Sequence, residues 1–562
     1  MNVKSKYLSS AFLLVLTSVV VKIIGAVYKI PLTAFIGAVG RGYFAAAYNL
    51  CLPIHAITMG VFPVALSRLV SKYNACDNNK KILALKKSSY RMFFAVGLIG
   101  MTVMIALSKP YSVYIAHSPK SFYTILVLAP SILFSCLASS YRGYYEGFLN
   151  MQPTSVSQTI EALFKMIFGL VFAKLAMGYL YHLYLQSGQI FNIKILSDEQ
   201  ALSVIYPITS AAAMAGVTLG SVVSFLYVFL YYRINREKTK IRLSPSDVKS
   251  AGSELFSFSL PIMVSCAVQS VFQFLDTATI QYSLGSMDKS ILLRAYSQCV
   301  SIAGISQDDI VTYVYGLFSS ALDFKNLIPG ITMALGVSAV PAISSAIELK
   351  NHERLNTLIN SVYKYTAVLS LFGGFLLAGL SRDILTLFYS SSSQDIILGC
   401  DSLVKYFAMT ILVYSLSGTA VFCVQAVGHP EKSILPYIVS GAVRVVLNLV
   451  LVQDERLILF GSVISGAVGY FIMAVWNIGI AKKYSKTKFA FFTVLVRPLL
   501  ATVISYFLCD FLVFNHNFSE NFFYNLLIKG LICAAVFCIL CVAFKIVELK
   551  DLFVTIKCKK TA

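Results

Sequence analysis

The sequence predicts an all-α integral membrane protein with about fourteen spanning helices. Three observations predict it: few charges, apolar runs from one end to the other, and basic residues gathered in alternate loops. Of 562 residues, 57% are hydrophobic and 13% charged, whereas a soluble domain carries about 25% charged residues. A soluble chain this long would also divide into several domains of roughly 150 residues. The net charge of +21 falls mostly in the loops, where the positive-inside rule expects it. No zinc spacing, basic recognition helix or aromatic RNA motif accompanies it, which argues against a nucleic-acid partner. The 12 cysteines are scattered, mostly inside apolar runs. Even Cys533, Cys538 and Cys541 lack His or acidic company and read as small apolar filler, without a disulfide framework or metal site.

A helix needs about 20 apolar residues to cross the hydrocarbon core. The first segment, 9–36, follows Lys4 and Lys6 and resembles a signal peptide in outline, but it is too long and contains Lys22 and Lys29. It is expected to be a retained helix. The second and third are 43–70 and 92–107, the third being the shortest. Next come 122–140, 154–179 (entered through Pro153), 206–232 and 255–282. The eighth, 311–347, is expected to break between Asp323 and Pro329. The rest are 362–380, 403–427, 434–452, 457–480, 489–508 and 523–544. Six Lys/Arg fall in 72–91, six in 233–249 and four in 482–488, and the tail adds Lys550, Lys557, Lys559 and Lys560. Asp198, Glu199, Asp288, Asp395, Asp401 and Glu520 mark the opposite loops. Both termini are therefore expected on the cytoplasmic side of a cytoplasmic membrane.

The pattern also repeats. The second segment ends Pro63-Val-Ala-Leu-Ser67 before Lys72, and the eighth ends Pro341-Ala-Ile-Ser344-Ser345 before Lys350. The first and seventh end alike, at Ile36-Gly37 and Leu284-Gly285. Six segments separate the copies, so the expectation is an N-lobe (1–233) and a C-lobe (255–481) of six helices each. A basic linker (234–254) joins them, and two further helices (489–546) and a basic tail (547–562) follow. Parallel repeats of this kind place a substrate site between lobes.

Three pieces carry a family likeness: Gly25-Ala-Val-Tyr28-Lys29-Ile-Pro31, Pro63-Val-Ala-Leu-Ser67-Arg68, and Tyr141-Arg142-Gly143-Tyr-Tyr-Glu146-Gly147-Phe-Leu-Asn150-Met-Gln-Pro153-Thr154 running into Ser157-Gln158-Thr-Ile-Glu161. Together they resemble the polysaccharide-export branch of the multidrug/oligosaccharidyl-lipid/polysaccharide exporter superfamily, and within it the stage V sporulation protein B and MurJ-type proteins. The resemblance implies a two-lobed bundle whose cavity alternates between faces and carries an undecaprenyl-diphosphate-linked saccharide, such as a peptidoglycan precursor. It also implies cavity arginines on the first, second and eighth helices. Here the matching stretches offer Tyr28 and Lys29, then His55, then Asp323 and Lys325.

A charge near mid-bilayer costs about 2.5–3.5 kcal/mol on insertion scales and usually faces a wet interior. By that rule Lys22, Lys29, Lys165, Lys325 and Arg444 are candidate substrate-binding residues, with Lys165 and Arg444 at similar depths in the fifth and eleventh segments. A diphosphate suits such cations through charge-assisted hydrogen bonds. Lys29 has the alternative of snorkelling to headgroups, and Lys165 of pairing with Glu161 one turn away. Glu161, Gln273, Asp276 and Asp323 are the candidate cavity or coupling residues. Asp276 either binds Na⁺ or H⁺, with Gln273 as a neutral ligand, or engages Thr277 and Thr279. Arg142 and Glu146 are expected to clamp the turn after the fourth segment or to act as a gate, and Arg68 to anchor the end of the second.

The leading function is a flippase for a lipid-linked saccharide. The alternatives are a drug or cation antiporter of the same superfamily and a membrane glycosyl- or acyltransferase. The six histidines are scattered and no large loop domain exists, which disfavours an enzyme. No cofactor is expected; Na⁺, H⁺ and membrane potential all stay open as the driving force. The expected partners are the lipid-linked substrate and membrane lipids, and a monomer is the simplest state.

Overall fold

The computed structural model describes residues 3–60, 62–235, 243–389 and 393–546. By contacts the chain divides into two compact units, Met1–Ser319 and Ser320–Ala562. Almost every described element is a helix, because a lipid-immersed backbone must satisfy its own hydrogen bonds.

The first unit begins with α1 (Val3–Gly60), in which two helical runs meet at Gly37. Gly37 adopts φ 64°, a region open to glycine, and the Tyr206 ring occupies the space a Cβ would need. Next come α2 (Phe62–Ala75), α3 (Asn79–Pro110) with a π turn at Tyr111–Ile115, and α4 (Ser121–Gly147). The glycines of the Arg142-Gly143 piece let α4 lie directly on α2: a Cβ on Gly143 would meet the Pro63 backbone, and one on Gly147 the Val70 side chain. Helix α5 (Gln152–Ser187) carries Pro153 in its first turn, where a missing N–H is harmless. It ends at Gly188 in the left-handed region. A two-stranded hairpin, β1 (Gln189–Ile190) and β2 (Ile193–Lys194), leads into α6 (Asp198–Asn235).

Helix α7 (Pro245–Ser286) opens with a capping box in which Ser244 and Asp247 satisfy each other's backbone N–H. The described end of the basic stretch 234–254 is therefore already helical. Two short helices, α8 (Lys289–Ala295) and α9 (Ser297–Ala303), precede α10 (Ile310–Glu348). Contrary to expectation, α10 is helical without interruption from Asp323 through Pro329. The proline cannot donate, but its neighbours keep the helical path.

The second unit holds the rest of α10, then α11 (His352–Gly379), α12 (Ser381–Tyr389), α13 (Gln394–Ala426), α14 (Ile434–Leu451) and α15 (Leu459–Ser485). Helix α16 (Arg497–Cys509) is flanked by π turns, and α17 (Phe522–Ala543) follows. The buried Lys529 on α17 donates to Asp383 at the start of α12 (3.1 Å) and to the Phe514 carbonyl (3.2 Å).

The first predicted segment falls on α1, the second spans the end of α1 and α2, and each of the others falls mainly on a helix of its own. Eleven stretches among the described residues are long and apolar enough to cross a membrane, the first being Pro31–Ala75. The start of α1, α5 and α7, where the sequence reading also set spans, are not among these eleven. The basic tail 547–562 lies outside the described residues.

Candidate functional site

In the first unit, Arg41, Phe44, Tyr48, Cys51 and His55 follow at spacings of three and four, so they share one face of α1. On α5, Glu161 and Lys165 share another face. The Lys165 Nζ lies 4.6 Å from the Tyr48 ring centre and 5.7 Å from that of Tyr28, a range in which an aromatic face attracts a cation. The Arg142 guanidinium is nearly buried and joins three helices. Its Nη2 donates to Glu161 Oε2 (2.9 Å) and Ser224 Oγ (2.6 Å), and its Nε donates to Ser157 Oγ (2.8 Å). Glu146, meanwhile, accepts from Thr154 Oγ1 (2.9 Å). The two residues expected to clamp one turn therefore have separate partners, because α5 brings Glu161 into the reach of Arg142.

In the second unit, Lys325 and Arg444 are both buried and converge on one tyrosine. The Lys325 Nζ stands 5.0 Å from the rings of Phe407 and Tyr414 and 5.3 Å from Tyr470. Arg444 packs over Tyr470 at 4.7 Å and donates from Nη1 to its hydroxyl (3.0 Å). The Tyr414 and Tyr470 rings lie 4.4 Å apart. The absence of a side chain on Gly469 leaves room for the Arg444 stem. Asp323 is half-buried on the same helix as Lys325.

Among the other predicted residues, Lys22 lies in α1 but its side chain is outside the described set. Lys29 is half-buried, and its carbonyl accepts from Thr33 (2.8 Å). Asp276 is half-buried and Gln273 exposed on α7. The Thr277 hydroxyl donates to the carbonyls of Gln273 and Phe274, and that of Thr279 to those of Leu275 and Asp276. Arg68 is exposed, with its guanidinium 4.9 Å from the Phe258 ring of α7. It lines a groove of about 460 Å³ with Ser67, Ser71, Lys72 and Glu146.

Sequence reasoning missed two groups. Arg41 reads as a loop residue between two glycines, yet it is 2% exposed and lies over Phe44. Asp309 reads as a loop acid but is buried at the head of α10. It accepts from Tyr43 (2.9 Å), Ser203 (2.6 Å) and Lys120 (3.3 Å). Nearby, a Cβ on Gly42 would overlap Thr312, and one on Gly316 would overlap Ala38. The first turns of α10 thus lie backbone to backbone on α1. At the other end of the unit, Tyr73 donates to Glu254 (2.6 Å), and Lys80 pairs with Asp247 (2.9 Å). Hydrogen bonds from Lys80 and Ser244 pull the Asp247 carboxyl down to about 2.

Residues 7–197 match the polysaccharide biosynthesis protein family. Over 520 residues the chain is 25% identical to the lipid II flippase MurJ of Bacillus subtilis (strain 168), covering 89% of this chain and 87% of that one. The chain is thus similar to MurJ along most of its length. It is also 21% identical, over 85% of its length and 84% of the other's, to stage V sporulation protein B of the same organism. The fold agrees: the structure titled "Lipid II flippase MurJ, inward closed conformation" superposes with a TM-score of 0.62 at 14% identity, covering 96% of this chain and 99% of that one. The exporter-branch resemblance read from the residues is thus upheld, and the chain is a multi-pass membrane protein.

Proposed function

We propose that this chain is a flippase that moves an undecaprenyl-diphosphate-linked saccharide across the cytoplasmic membrane by alternating access. One observation carries the reading most directly: Lys325 and Arg444, both buried, share the Tyr470 ring within one unit. Two buried cations set against one ring suit a multiply charged anion. A diphosphate is such an anion, and Lys165 beside Tyr48 supplies a further cation in the other unit. Buried lysine and arginine side chains suit an anionic cargo better than a cationic drug, which favours the flippase over the antiporter reading. The relationship to MurJ supports a lipid-linked cargo. In this reading both ends and the basic loops face the cytoplasm, and the Asp276 region of α7 is where Na⁺ or H⁺ would couple to the movement.

The test is flipping of a lipid-linked peptidoglycan precursor in proteoliposomes containing the full chain. Wild type should translocate it, and the double variant Lys165→Ala, Arg444→Ala should lose translocation while still inserting. Full transport by that variant would refute the assigned site. No translocation by well-inserted wild type would refute the substrate class.

A further inference from the structure

We infer that the β1–β2 hairpin is a lipid anchor, inserting Phe191, Ile193 and Leu196 among the headgroups where α5 leaves the membrane. The turn between the strands is two residues long, with Gln189 opposite Lys194 and Ile190 opposite Ile193. Both turn residues have positive φ, 48° at Phe191 and 64° at Asn192. That conformation suits a tight hairpin and is easy for Asn or Gly. It is unfavourable for a bulky aromatic residue, so the tip holds a phenylalanine where a small polar residue would fit better.

The apolar side chains of the tip face outward. Phe191 is 63% exposed, Ile193 55% and Leu196 88%. Ile190 does the opposite: it is fully buried in a cluster with Leu180, Ala201 and Ile205. That cluster folds the hairpin back onto the last turns of α5 and the first of α6, and so holds the tip in a fixed position.

The location of the cluster identifies the partner. The exposed face of α5 runs Leu163, Ile167, Val171, Leu175 and Tyr179 at four-residue steps, a lipid-facing stripe. Past Tyr179, polar residues begin to share the exposed surface, with His182, Gln186 and Ser187 exposed beside Tyr181 and Leu185. The hydrocarbon therefore ends near Tyr179, a residue type enriched in the interfacial belt. Leu180 is its immediate neighbour, so Ile190 packs at belt depth, not beyond it. The apolar tip is continuous with a surface already in contact with lipid. Lys194, exposed on the same hairpin, is placed to reach lipid phosphates while its stem stays in the apolar layer. The side concerned is the outer one in the orientation the basic loops predict. The inference depends only on membrane residence, not on the cargo.

The experiment uses the full chain in liposomes, with its single tryptophan removed (Trp476→Phe) and a reporter introduced as Phe191→Trp or, separately, Leu196→Trp. The Leu196 site is the more exposed and tolerates exchange if the turn does not. The expected result is blue-shifted emission, with loss of fluorescence in phosphatidylcholine brominated near the top of its acyl chains and little loss to aqueous acrylamide. Red emission at both positions, quenched by acrylamide and indifferent to brominated lipid, would overturn the proposal. That outcome would leave a water-facing tip suited to a protein partner. Neither result depends on transport, so a failure here is distinct from a failure of the flippase reading.

Discussion

The Arg142–Glu161 pair allows a quantitative test, because its geometry is complete within one unit. The guanidinium makes hydrogen bonds of 2.8, 2.9 and 2.6 Å to residues of α5 and α6. Its side chain is 6% exposed and that of Glu161 24%. Removing one partner of such a pair leaves an uncompensated buried charge, at a cost of about 3–5 kcal/mol. Arg142→Gln and Glu161→Gln should each destabilise within that range, Glu161→Gln less, since Arg142 keeps Ser157 and Ser224. The double variant should cost less than the sum, with a coupling energy of about 2 kcal/mol. Neutral hydrogen bonds between membrane helices average only about 0.6 kcal/mol, so a coupling of that size identifies an ionic pair. The assay is reversible unfolding in mixed micelles for wild type, both single variants and the double. Additivity within about 0.5 kcal/mol would refute the reasoning. In that case Glu161 would be free to act elsewhere, with Lys165 one turn away as its first candidate.

Three other outcomes follow from the same structure. Tyr470→Phe removes the acceptor of Arg444 while keeping the ring, and should weaken binding of a diphosphate lipid by about 1.5–3 kcal/mol; unchanged binding by titration in nanodiscs would separate Tyr470 from the site. Gly316→Ala forces a Cβ into the Ala38 backbone and should destabilise by about 1–3 kcal/mol in thermal unfolding, while Gly330→Ala, whose Cβ meets no atom within 4 Å, should be nearly silent. Lys80→Met should raise the Asp247 midpoint from about 2 toward the ordinary aspartate range, read by carboxyl NMR titration. The sign follows from the depressed value: the stabilising contribution of Asp247 is present above pH about 4 and is lost as pH falls through about 2, a loss that Lys80→Met should shift upward.

The depth of each helical charge along its own segment was readable in the chain, since 1.5 Å per residue fixes it once the segment is known. Lys325 and Arg444 were placed that way, and both are buried. Their meeting at Tyr470 was not readable, because rotation about the helix axis depends on which neighbours pack beside it. The partner of Glu161 shows the same limit. Spacing assigned Arg142 to Glu146, whereas the nearly buried guanidinium reaches Glu161 across 19 residues. Asp309 and Arg41 were missed for a related reason. Each looks like a loop residue locally, and Tyr43 reaches Asp309 across 266 positions.

Composition, apolar segment length and the placement of lysines determined by themselves that this chain lives in a membrane as helices. Those properties are set by transfer of each segment from water to lipid, which every segment undergoes regardless of its neighbours. Only the tertiary structure decided that α10 stays continuous through Pro329, that Arg142 belongs to Glu161, and that an apolar hairpin tip is folded back to the level of Tyr179. Those outcomes depend on side chains from distant segments arriving at the same place, and no local pattern encodes that arrival.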